Sequence, residues 1–98
     1  MNEEQCEKLI KIANYYGIRK QLLKLNEECL ELAHESIKQY WEPHDLTHLI
    51  EEFADSMIVT GQIIYLLGIN PKAIDDVINF KIDRQLKRIE EEEEKCKN

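Results

Sequence analysis

Only three glycines and two prolines interrupt these 98 residues, and cysteine occurs three times, at Cys6, Cys29 and Cys96. An odd cysteine count without a CxxC pair argues against a disulfide framework or a zinc finger and suits a reducing compartment. No stretch alternates apolar and polar residues as a half-buried strand would. No long apolar run occurs either. The longest, Met57 to Ile69, is broken by Thr60, Gly61 and Gln62 and is too short to span a bilayer. The opening "MNEEQCEKL" has neither the basic region nor the apolar core of a signal peptide, so the expected address is the cytoplasm. Positive charge is in deficit, with 13 Lys and Arg against 20 Asp and Glu and a formal net charge of −7. That balance gives no overall attraction for nucleic-acid polymers or anionic membranes. A small phosphate ligand stays compatible with it, because a bound metal or local charge reverses the field in one pocket.

What is present reads as helix. Hydrophobic residues make up 43% and charged residues 34% of the chain, as in a folded helical domain. Gly17, "EPHD" at 42–45 and "GINP" at 68–71 divide it into four helices, expected at 3–15, 18–40, 45–67 and 71–94. The whole chain, 1–98, is expected to be one domain, with residues from about 90 a frayed acidic tail. Its core is small, so a homo-oligomer is expected.

The second helix carries an amphipathic stripe through Leu22, Leu25, Cys29, Leu32, Ala33 and Tyr40. The third is apolar around its whole circumference, the pattern of a helix at the centre of a bundle, and Gly61 within it marks a close helix contact. The fourth starts after Pro71, with Ala73, Ile74, Val77, Ile78, Ile82, Leu86 and Ile89 expected to face inward.

Two acidic motifs stand out against this frame. "NEECLELAHE" holds Glu27, Glu28, Glu31 and Glu35, of which Glu28, Glu31 and Glu35 share one helical face. "EEFAD" places Glu52 and Asp55 three apart on the apolar third helix. Acid pairs at helical spacing are usually solvated faces, and that reading suits Glu27, Glu31 and Glu35 taken alone. It suits Glu52 and Asp55 less, since an isolated buried carboxylate is strongly disfavoured. The remaining options are an ion pair, a shifted pKa or a bound cation. The second helix offers facing acids at this level, so a hard metal is expected: Mg²⁺ or Mn²⁺, with Ca²⁺ less suited for want of an EF-hand loop.

Histidine offers a rival reading. Glu31 with His34, and Asp45 with His48, are ExxH and DxxH pairs of the kind found in di-iron bundles. His34, however, points away from the stripe that Glu28 and Glu35 define, and Asp45 and His48 sit near a helix start, where loop or cap chemistry is expected. Lys81, Arg84 and Arg88 form a basic ridge, usually a solvated face, that would also suit phosphate oxygens. Gln21 lies seven residues before Glu28, on nearly the same face, where it could contact a ligand. Tyr15, Tyr16 and Trp41 are expected to pack in the core or an interface, with stacking on a base as the alternative.

"EECLE", a 20-residue interval and "EFAD" together resemble the EExxE…ExxD pattern of the all-α nucleoside triphosphate pyrophosphohydrolases, above all their MazG-like branch. Dimeric dUTPases and dCTP pyrophosphatases are relatives of that branch. The similarity runs from "YGIRKQLLKLNEECLELAHE" to "INFKIDRQLKRI". The resemblance implies a four-helix, bundle-like, oligomeric fold with Glu28, Glu31, Glu52 and Asp55 as Mg²⁺ ligands. It also implies Glu27 in a supporting role, Lys81 and Arg84 on substrate phosphates, and Glu28 or Glu31 helping to deprotonate the attacking water. The reaction it implies splits an NTP or dNTP into the monophosphate and pyrophosphate. The alternatives are a non-catalytic helical interaction or oligomerisation protein and, behind it, the di-iron-type bundle.

Overall fold

The computed structural model describes residues 1–97 and is all-helical, with no strand among them. Four helices follow one another: α1 Glu3–Tyr16, α2 Ile18–Trp41, α3 Thr47–Leu66 and α4 Pro71–Lys97. Residues Met1–Gly68 form one compact unit, and a second begins at Ile69.

The ends of the helices follow from local chemistry. Asn2 and Gln5 close a capping box at the start of α1: the Asn2 side chain accepts from the Gln5 N–H at 2.8 Å, and the Gln5 side chain accepts from the Asn2 N–H at 2.9 Å. Gly17 then breaks the chain between α1 and α2 at φ +83°, a left-handed conformation that a side chain would strain. Its N–H still caps α1 by donating to the Ala13 carbonyl at 2.8 Å. Before α3, Asp45 accepts from the Thr47 N–H at 2.7 Å and from the Thr47 hydroxyl. This is loop chemistry just ahead of the helix, one of the two roles expected of Asp45, and the two bonds hold its carboxyl below its ordinary range.

Within the first unit, α3 packs chiefly along α2, and α1 rests on both. The buried apolar core is small: Leu9 and Ala13 from α1, Val59 and Ile63 from α3. Gly61 allows the close approach of α1. A Cβ there would lie 3.3 Å from Leu9 Cδ1 and 3.4 Å from Met1 Cε. A polar link runs through the same core. Gln21 Nε2 donates to Gln62 Oε1 at 2.6 Å, and Gln62 Nε2 donates to the Leu9 carbonyl at 3.3 Å, joining three helices. Gln21 thus serves the packing of the unit.

Two expectations about burial differ from the structure. The outer side of α3 is open in the single chain, with Ile50 61%, Phe53 51% and Met57 62% exposed. Of the stripe expected to face inward on α4, Val77, Ile78, Ile82, Leu86 and Ile89 are exposed and Ile74 is half-buried, and no residue of α4 is buried. The all-round apolar pattern records that a surface needs covering, and the packing within the first unit leaves it open.

Candidate metal and nucleotide site

The acidic site is built where α2 and α3 lie side by side. Helical spacing puts Glu28 and Glu31 on one side of α2, and Glu52 comes from the second turn of α3. One carboxylate oxygen from each of these three residues lies within 4.8 Å of the others. Glu28 is buried, Glu52 half-buried and Glu31 exposed. The group therefore has a dry side and a wet side.

Three carboxylates so close should resist ionising together, and Glu52 registers the strain. Its pKa is raised, chiefly by burial, then by the close approach of the Glu31 carboxylate and by the charges of Asp55 and Glu28. Among the described residues, Glu28 Oε2 and Glu52 Oε2 are buried and accept no hydrogen bond. Buried polar atoms are nearly always paired, because an unmet one keeps its desolvation cost. A cation between the helices would meet this demand. The donor set is all oxygen, which fits a hard divalent ion. No histidine belongs to the group, which the di-iron reading would need.

Of the residues singled out from sequence, Glu28, Glu31 and Glu52 are thus brought together. Asp55 is not part of the tight group. It lines the adjoining cavity with Glu27 and Glu28, and its charge reaches Glu52. Glu35, one turn beyond Glu31, is drawn to Lys38 at 3.2 Å, and that contact lowers its pKa. His34 is exposed, and His48 pairs with Glu51 at 3.6 Å. Lys81 and Arg84 lie exposed on α4, with the Arg84 guanidinium 5.7 Å from the centre of the Phe80 ring.

The cavity beside the acids has a volume of about 560 Å³, within the usual range for small-molecule sites. Ile12, Leu23, Ile58 and Val59 give it an apolar lining, and Glu27, Glu28 and Asp55 mark its acidic end. Tyr16 also lines it, with the Lys20 ammonium 5.8 Å from the ring centre.

Two residues were not singled out from sequence. Lys24 sets its ammonium 3.1 Å from Glu28 Oε1 and 3.8 Å from Glu27 Oε2, so α2 does supply a base at this level. The sequence signal is the i, i+4 spacing of Lys24 and Glu28. Ser56, one turn after Glu52, has a buried hydroxyl with no partner among the described residues.

Comparison with protein families, with curated proteins and with solved structures returned no match. The functional reading therefore rests on the residues themselves.

Proposed function

We propose that this protein is a Mg²⁺-dependent nucleoside triphosphate pyrophosphohydrolase of the MazG-like kind, cleaving the α–β phosphoanhydride of an NTP or dNTP. The role would be the removal of surplus or non-standard nucleotides. The observation that carries the reading is the set of three glutamates on facing helices, two of them with buried oxygens that accept nothing and one of these, Glu28, also lining a cavity of about 560 Å³. Glu28, Glu31 and Glu52 would hold the ion, with Asp55 joining from one turn further along α3.

Bound there, Mg²⁺ or Mn²⁺ supplies charge neutralisation to phosphate oxygens and acidity to a water. The chain's own contribution is to position and to move a proton. Glu28 or Glu31, the latter the exposed member, would accept the proton of the attacking water, while Glu27 supports them from the cavity wall. Lys81 and Arg84 are proposed to meet substrate phosphates. The raised pKa of Glu52 before loading is the state that a divalent charge reverses.

Association of copies belongs to the same proposal, as a homodimer or homotetramer, because Phe53 and Met57 on α3 and Ile82 and Leu86 on α4 are exposed in a single chain. That apolar surface also favours a second reading, a non-catalytic association module. The two separate on a panel of NTPs and dNTPs assayed for pyrophosphate release. The enzyme reading predicts release with Mg²⁺ and none with chelator. The association module predicts no release under either condition.

A further inference from the structure

Lys24 occupies an unusual position. It stands at the boundary between the carboxylate group and the cavity, and it lines that cavity. Its ammonium pairs with one oxygen of Glu28, whose other oxygen is buried and accepts nothing. The Glu28 side chain is 6% exposed and that of Lys24 is 54% exposed. One end of the pair is therefore fixed, while the other sits on a flexible four-carbon stem with room to leave.

We infer that Lys24 is a displaceable internal cation, which holds Glu28 in the metal-free protein, is released when a divalent ion binds the glutamates, and then meets a phosphate oxygen of the nucleotide in the adjoining cavity. The inference rests on the metal and nucleotide reading given above. Its physical basis is competition. An ammonium and a divalent ion both draw on the Glu28 charge, and each repels the other at this range. Once freed, the ammonium remains within reach of the cavity it lines, where triphosphate is the group of opposite charge. Lys20, near the Tyr16 ring in the same cavity, has no such contact with Glu28 and serves as the comparison.

The test is calorimetric titration of wild type, Lys24→Met and Lys20→Met with Mn²⁺. A second titration uses the four α,β-methylene deoxynucleoside triphosphates at saturating Mn²⁺. Lys24→Met should bind Mn²⁺ about fivefold more tightly than wild type, the size of one partly exposed ion pair. It should bind the metal-loaded analogue about tenfold more weakly, through loss of a charge-assisted contact. Lys20→Met should leave Mn²⁺ affinity unchanged. Unchanged or weaker Mn²⁺ binding by Lys24→Met, an equal gain in Lys20→Met, or unaltered analogue affinity each overturns the inference while leaving the metal reading intact. Failure of wild type to bind Mn²⁺, or to bind any analogue, overturns the parent reading and this one with it.

Discussion

The bridge between Gln21 and Gln62 is the feature whose removal has the clearest expected consequence. Gln62 is 2% exposed and Gln21 6%, so neither amide has water to fall back on. In Gln62→Leu the volume is nearly kept, but Gln21 Nε2 loses its acceptor at 2.6 Å and the Leu9 carbonyl loses a donor at 3.3 Å. A buried donor left unmet costs about 1–3 kcal/mol, and the longer second bond adds about 0.5 kcal/mol. A total of about 1.5–3.5 kcal/mol lowers Tm by roughly 6–28 °C in a domain of this size. Gln21→Leu should do similar damage by stranding Gln62 Oε1. The double variant Gln21→Leu/Gln62→Leu strands neither side chain and should return to within about 1 kcal/mol of wild type. Urea and thermal unfolding followed by circular dichroism, with chelator present, read all four proteins. A double variant as unstable as the sum of the two singles would refute the reasoning, because the cost would then lie in shape and packing.

Two further predictions concern α3. Without metal, Glu52→Gln should raise Tm, since it removes a half-buried charge held among like charges; with Mg²⁺, wild type should gain stability that the variant does not. The pH sign follows from the raised pKa. A carboxyl that binds its proton more tightly when folded stabilises the fold below its unfolded pKa, and that contribution is lost as pH rises through the folded pKa. The advantage of Glu52→Gln in chelator should therefore shrink as pH falls from about 7 towards about 4.3, and an advantage that grows would contradict the assignment. At Gly61, Ala should be neutral or stabilising by up to about 1 kcal/mol, because helix propensity favours it and the atoms it meets are flexible side-chain ends. Gly61→Leu should cost about 1–3 kcal/mol through overpacking against Leu9, and equal stability of the two variants in thermal melts would show that α1 does not press on this point.

The helix plan was legible because its breaks are chemical. Gly17 takes a conformation that suits glycine, and Asp45 in the loop before α3 accepts the first N–H of that helix, so the expected ends fall within a few residues of the observed ones. The site was legible where spacing alone decides the face: Glu28, Glu31 and Glu52 meet as helical geometry requires. Asp55, three residues on from Glu52, stands outside the tight group although Glu28 and Glu31 share the same spacing, so spacing alone does not decide its place. Burial was less legible. A helix apolar on every side states a need for cover without naming the cover, and Ile50, Phe53 and Met57 remain open. Polar side chains were hardest, because their partners lie far apart in sequence. Gln21 suggested a ligand contact by its register with Glu28; it does line the cavity, but its amide also bonds Gln62, 41 residues away, which no local pattern showed. Lys24 had a local signal, but that spacing is common on solvated helix faces, and only the burial of Glu28 separates this pair from them.

Pyrophosphate release from a panel of NTPs and dNTPs in Mg²⁺, measured side by side for wild type and Glu52→Gln, tests the central claim most directly. The variant is expected to be at least as stable as wild type without metal, so a loss of activity cannot be put down to unfolding. The account predicts release by wild type that chelator abolishes and no release by Glu52→Gln. Release of the same rate from both proteins, or release that chelator leaves unchanged, would contradict it.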